Sequence, residues 1–468
     1  MERLLKAGEL KKKNSSTIKS SRIGIGFEKL DRNVFDPEKA YDKVAETGVK
    51  WVRIQSGWQR TEKEKGVYDF EWLDKIVDNL IKRGLIPWIC LCYGNGIYDE
   101  EAAKIFGAVG VPPIHTEEQK KAWYNYVKAT VQRYTGKVTL FEIWNEPDGK
   151  WCWKHGVSGN EYGQFAISTA KAIKEGNPLA KVVGGAICLD NNEFLSQAVS
   201  EGMAKYIDMI SFHHYSCDET TIPDRVAAFR GIMNIYNPDV KIIQGESGSQ
   251  SRSDGCGALR GGAWTELKQA KQLLRHTVVD LSTEVLFTSY FSCMDMIEAL
   301  GGKVGDKSSY LDYGYFGILG AEFDENGFSV GEYYRKKSHT ALQSLCSIFA
   351  EDYEKTELPM LFVKRHSNRI FGEERVEPTY CKYGFKRENG SYALAYWNAT
   401  DLMRTTYEST ISMEFVGLPQ DMKLIDPLTG MIYTFPENMI EKTGENYVRI
   451  VNAPILDYPL IITFGDFT

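Results

Sequence analysis

The strongest constraint in this chain is a repeat of pattern rather than of residues. Eight times between residues 20 and 350 a short apolar run gives way to a polar loop, an amphipathic stretch and, often, a glycine. The runs are Ile23–Phe27, Trp51–Gln55, Ile86–Cys92, Thr139–Trp144, Lys181–Cys188, Ile207–His213, Val240–Glu246 and Glu284–Tyr290. They are nearly continuous in Val, Ile, Leu and Phe, as strands buried on both faces of a parallel sheet must be. The stretches between them have helical period. Trp72, Leu73, Ile76, Val77, Leu80 and Ile81 form one stripe closed by Gly84. Thr116 and Gln119 have capping-box spacing ahead of Trp123, Val127 and Val131. Eight strand-helix units predict a (β/α)8 barrel. A doubly wound open sheet is the runner-up, but would more usually announce itself with a Gly-rich first turn.

From about residue 353 the pattern changes. Short alternating runs at Ser391–Trp397, Ser409–Phe415, Met431–Phe435, Tyr447–Val451 and Leu460–Phe464 are broken by turns such as Asp426-Pro427-Leu428-Thr429-Gly430. They predict an all-β sandwich. The expected organisation is therefore an extension at 1–20 that joins the sandwich or is mobile, a barrel at 21–352 and a sandwich at 353–468.

Charge and composition exclude several classes. With 56 Lys+Arg against 63 Asp+Glu the net charge is −7, so no basic face is expected for nucleic acid. The nine cysteines are odd in number and lack any Cys-x-x-Cys pair, so they read as free thiols. Residues 1–20 are polar and Lys-rich, without the apolar core of a secretory signal, and no run suits a membrane span. The expectation is a reduced, cytoplasmic protein with no membrane partner. Gly301 to Ser308 approaches a phosphate loop, but Asp306 stands where the motif needs Gly. Along the sequence no His/Asp/Glu group has metal-ligand spacing and no Gly-x-Ser-x-Gly elbow occurs, so neither metal nor cofactor is expected.

A barrel of this kind places its active site at the C-terminal ends of its strands. The fourth run ends Phe141-Glu142-Ile143-Trp144-Asn145-Glu146-Pro147 and the seventh Gln244-Gly245-Glu246-Ser247-Gly248. Strands four and seven face each other across an eight-stranded mouth. Two carboxylates meeting there are the minimum for cleaving a glycosidic bond, one protonated to release the leaving oxygen and one ionised to attack. Glu142 is expected to be a ladder residue. Glu28, ending the first run, is a candidate substrate contact. Trp58, Tyr93, Asn95, Trp151, Trp153, Tyr290 and Phe291 fall at or after strand ends, where aromatic faces can stack on sugars; singly, each is as well explained by packing.

Asn145-Glu146-Pro147 after an aliphatic-Trp strand end resembles the acid/base motif of clan A glycoside hydrolases. The longer run, with Trp153 behind it, is similar to family 39, which holds β-xylosidases and α-L-iduronidases. The resemblance implies Glu146 as acid/base, Glu246 as nucleophile and retention of configuration. It also implies that Asn145 binds the sugar 2-hydroxyl and that Arg53 keeps the nucleophile ionised. The His213-His214-Tyr215 end of the sixth run matches the clan's His-x-Tyr pattern, with His214 structural.

The expected function is a retaining O-glycosidase, exo-acting on a small glycoside or oligosaccharide and β-xylosidase-like. The alternatives are a catalytically silent carbohydrate-binding barrel and a transglycosylase using the same pair. Residues 247–264, with five glycines, read as a rim or lid, or as an oligomer contact. A homo-oligomer, through the sandwich or otherwise, stays open.

Overall fold

The computed structural model describes residues 1–363, 379–417, 419 and 421–468. Eight parallel strands close into a barrel in chain order: Ile23–Gly26, Trp51–Gln55, Ile86–Leu91, Leu140–Ile143, Lys181–Ile187, Met209–His213, Lys241–Ser247 and Thr288–Tyr290. Closure comes from the first strand pairing with the eighth, Ile23 opposite Thr288 and Ile25 opposite Tyr290. The (β/α)8 architecture and the sandwich expected from the sequence are both present.

The helices follow the apolar stripes. Glu71–Lys82 buries Leu73, Ile76, Val77 and Leu80 against the barrel. Glu117–Arg133 starts at Thr116, whose hydroxyl accepts the Gln119 amide while the Gln119 side chain accepts the Thr116 amide, a complete capping box. After the eighth strand the chain departs from the simple repeat. Residues 291–336 run over the barrel mouth, pairing Met296–Ile297 with Tyr313–Gly314 and Leu319–Phe323 with Ser329–Arg335. The last barrel helix, Lys337–Ile348, begins only after this excursion.

Inside the barrel, alternate residues of each strand point to the axis and stack in layers. The bottom layer is apolar: Trp88, Leu140, Val183, Ile243 and Phe287 pack together with Trp51 and Met209. Two residues further along the strands lie Arg53 and Glu142, a layer of buried charge. Taking an unpaired guanidinium out of water would cost several kcal/mol, so Arg53 requires the carboxylates found around it.

The all-β part consists of a seven-stranded and a four-stranded antiparallel sheet. Leu5–Glu9 pairs with Met431–Thr434 at one edge of the larger sheet. Further strands that the alternation pattern does not reveal complete the sheets, among them Glu354–Thr356, Met360–Val363, Tyr380–Lys386, Lys423–Asp426 and Ile440–Gly444.

The sandwich docks on helix Glu266–Leu281 through buried polar groups. Arg275, fully buried, donates to the carbonyls of Asp457 (2.7 Å), Thr400 (2.9 Å) and Asn398 (3.0 Å). Lys271 pairs with Asp457 at 2.7 Å, and the Trp397 indole donates to Glu219 at 2.7 Å. No helix among the described residues is long and apolar enough to cross a membrane.

Candidate active site

Barrel strand four ends in a sharp turn that lifts Glu146 into the mouth. Trp144 and Glu146 both take left-handed backbone conformations, φ 66° and 45°. Each costs on the order of 1–3 kcal/mol for a side-chain-bearing residue, a cost that clusters at functional positions. Glu146 Oε2 accepts from the Trp151 indole, and Oε1 faces His213 Nδ1 at 2.9 Å. Across the mouth, Glu246 accepts from the Tyr215 hydroxyl through Oε1 and from Arg53 Nη1 through Oε2, at 2.8 Å. His213 Nδ1 also lies 3.7 Å from Glu246 Oε2, so one imidazole edge stands between the two carboxyls.

Arg53 organises the floor. Its Nε donates to Glu142 (2.7 Å), Nη1 to Glu28 (3.1 Å) as well as to Glu246, and Nη2 to the Asn145 amide oxygen (2.8 Å). The bond on its oxygen turns the Asn145 amide nitrogen toward Cys152 Sγ, 3.5 Å away. Glu142 faces the barrel axis.

Burial dominates the electrostatics. It raises the carboxyls of Glu146 and Glu246, each to about 7, and raises that of Glu28. It lowers His213, which is therefore neutral and donates through the nitrogen facing the carboxyls. The hydrogen bonds then separate the pair. Glu246 receives a guanidinium and a phenol, Glu146 only a neutral indole and imidazole. These bonds favour the ionised form more at Glu246 than at Glu146, in a pair that titrates as one coupled system.

Above the pair opens a cleft of about 750 Å³, within the range of small-molecule sites. Glu28, Tyr93, Asn145, Glu146, Trp151, Tyr215 and Glu246 line it, while Arg53 and His213 lie fully buried just beneath. Three expected substrate contacts lie elsewhere. Trp58 is buried in the helix layer against Tyr98, Trp123 and Tyr126, its indole bonded to Glu62. Trp153 packs behind Trp144 with its indole on Glu161. Tyr290 turns away from the cleft toward the Ser249 carbonyl, and the next residue, Phe291, takes the place on the wall. Asn95 too is buried, donating to the Glu62 carbonyl. All these residues sit at strand ends as expected; the side-chain direction, set by tertiary packing, removes them.

Other wall residues carried no local signal. Lys29, Arg32 and Gln55 come from the first two strand ends, Cys188 and Leu189 from the fifth, and Glu298, Leu300, Asp312 and Phe316 from the excursion after the eighth. Lys29 pairs with Glu298 at 3.2 Å. Cys256 to Arg260 of the 247–264 loop form a further wall. That loop is folded about Gln250, whose amide nitrogen donates to the carbonyls of Cys256 and Ala258 while its oxygen accepts the Tyr315 amide.

Glu146, His213 and Glu246 bring one oxygen, one nitrogen and one oxygen within 4.8 Å of one another, a grouping that could hold a metal ion. Spacing along the chain could not reveal it because the three come from three strands. Arg53 on Glu246 opposes a second cation there.

Residues 31–233 match the model of Glycosyl hydrolases family 39. A β-xylosidase of Geobacillus stearothermophilus is 26% identical over 159 residues, covering 32% of this chain and 31% of that protein. The β-galactosidase BgaA of Clostridium cellulovorans is 27% identical over 229 residues, covering 40% and 33%. The matched stretches thus span about a third of each of these relatives. Among solved structures, a family 39 glycoside hydrolase from Bacteroides cellulosilyticus superposes with a TM-score of 0.65 at 16% identity, over 95% of this chain and 81% of that one. A monomeric β-xylosidase from Caulobacter crescentus gives 0.59 at 16% identity, over 98% and 97%. In sequence over residues 31–233, and in fold over nearly its whole length, the chain is similar to the glycosyl hydrolases of family 39.

Proposed function

We propose that this protein is a retaining O-glycosidase, exo-acting on small β-glycosides in the manner of a β-xylosidase. The observation that carries the reading is the asymmetry of the facing carboxyls. Glu146 and Glu246 place oxygens within 4.8 Å of each other across the mouth, one neutralised by Arg53 and one not. Retention requires carboxyls about 5–5.5 Å apart, whereas inversion needs about 6.5–9.5 Å to admit a water between them.

In this reading Glu246 attacks the anomeric carbon while Glu146 gives its proton to the departing glycosidic oxygen. The attack consumes the negative charge of Glu246, so Glu146 loses the like charge that helped hold its proton. Glu146 then takes a proton from water, which displaces the sugar from Glu246 with a second inversion. Tyr215 and Arg53 hold the attacking carboxylate in place, and Asn145 keeps the second N–H of its amide for the sugar. The relatives described as β-xylosidase and β-galactosidase support a β-glycoside, with xylose the first glycone to test.

The test is turnover of aryl α- and β-glycosides by wild type and by Glu246→Ala, with and without azide. Loss in the variant, with recovery of a glycosyl azide of the opposite anomeric configuration to the substrate, identifies nucleophile, retention and glycone together. Undiminished activity in Glu246→Ala refutes the assignment.

A further inference from the structure

We propose that the leaving-group half of this cleft is built for an apolar alcohol, an aryl or alkyl aglycone, rather than for a second sugar. The proposal rests on Glu146 being the acid, because that fixes which side of the cleft the departing oxygen occupies.

The Glu146 side is recognisable from its neighbours. The Trp151 indole is bonded to Glu146 itself. The carbonyls of Trp151 and Leu300 both sit on the Lys154 ammonium, at 2.6 and 2.9 Å. Leu189 is held beside Glu146 by Asp148, two residues further on, whose carboxylate accepts the Cys188 amide at 3.0 Å and the Leu189 amide at 2.8 Å. Trp151, Leu189 and Leu300 therefore gather around the acid, and all three line the cleft.

The polar groups packed behind these three residues are engaged within the protein, while Asp312, which also lines the cleft, gives one oxygen to the Ala299 amide. Lys154 spends its ammonium on three carbonyls, those of Val109, Trp151 and Leu300. Asp148 spends both oxygens on backbone amides, and the Cys188 thiol points to it at 3.4 Å. Arg225 is taken by the Leu189 carbonyl and by Asp190 at 2.9 Å. A sugar bound here would give up water at several hydroxyls and find few partners in return. An apolar aglycone gains from the same wall, because burial of its surface is favourable. Leu189 is 43% exposed at the rim, an apolar surface that such a ligand would cover. Glu28, Lys29, Gln55, Asn145 and Glu298 also line the cleft; each has a partner within the protein, but Glu28 Oε1 is buried without a hydrogen bond and is left for a hydroxyl of the glycone.

The experiment measures binding, so it does not depend on turnover. Hexyl β-D-xyloside and β-1,4-xylobiose are titrated calorimetrically into the Glu246→Gln protein, alongside hexyl β-D-galactoside and β-1,4-galactobiose. The expected result, for whichever glycone binds, is an affinity about tenfold or more tighter for the hexyl compound, the size of effect that apolar contacts of this extent give. Leu189→Asn in the same background is expected to remove most of that advantage. Equal or tighter binding of the disaccharide overturns this proposal alone, leaving the hydrolase reading to its azide test. Binding of neither form of either glycone overturns the proposal, and the azide experiment then decides the fate of the reading beneath it.

Discussion

Glu28 and Glu246 share one nitrogen: Arg53 Nη1 donates to Glu246 Oε2 at 2.8 Å and to Glu28 Oε2 at 3.1 Å. Two buried carboxyls competing for one donor cannot both be held fully ionised. Around them stand Arg53, Lys29, Glu142, Glu146 and His213, and burial raises both. Glu28→Gln removes a like charge and leaves Arg53 more fully to Glu246. The Glu246 carboxyl then ionises at lower pH, so the acid limb of the kcat/KM profile is expected to move down by about 1 unit. An unmoved limb would show that Glu28 does not tune Glu246.

Trp151 acts on the other carboxyl. Its indole stabilises the ionised form of Glu146, against burial, which raises the group to about 7. Trp151→Phe deletes that donor, so Glu146 keeps its proton longer and the basic limb of the profile is expected to move to higher pH. In the proposed mechanism deglycosylation needs Glu146 as a base and should slow at neutral pH; pre-steady-state bursts with an activated aryl glycoside measure this.

The same burial makes folding stability depend on pH. Glu146 and Glu246 bind protons more tightly when folded than when unfolded, where they titrate near 4.5. Their contribution is fully present below about 4.5 and is lost as pH rises toward about 7, because the unfolded chain gives up these protons first. Urea unfolding of Glu246→Gln at pH 5 and pH 7.5 should show a smaller loss across that interval than wild type.

Trp397 and Glu219 tie the sandwich to the loop that carries Tyr215. Glu219 is 1% exposed, and Trp397→Phe would leave its Oε1 without the indole. The expected cost is about 1–3 kcal/mol, the desolvation penalty of an unmet buried acceptor. Chemical denaturation of the full chain reads it directly.

Gly245, one residue before Glu246, has no room for a side chain. A Cβ there would lie 2.2 Å from Ser211 Oγ and 3.3 Å from Glu142 Oε1. Gly245→Ala should destabilise by about 1–3 kcal/mol through overpacking and lower kcat by displacing Glu246. A variant of wild-type stability and rate would mean that the seventh strand yields at this point.

The elements of the barrel were legible because their signals are local. Parallel strands buried on both faces must be apolar along their length, and helices lying on them must be apolar on one stripe. That is why the run at Trp51–Gln55 and the stripe at Leu73–Leu80 stand out without any tertiary information. Glu146 and Glu246 were equally readable, since a barrel puts the ends of its strands at one mouth. The excursion at 291–336 was not, because its strands are only two to seven residues long and owe their pairing to distant partners. Nor could sequence tell Tyr93 and Trp151, which reach the cleft, from Trp58 and Trp153, which do not. All four follow strand ends, and only packing against Tyr126 or Phe165 decides which ring is buried. The chain by itself thus determined the barrel and the pair of carboxyls at its mouth. The sharing of Arg53, the placing of His213 between the two carboxyls and the gathering of Trp151, Leu189 and Leu300 beside Glu146 arise only on folding, when strands far apart in sequence converge on a few ångströms of buried space.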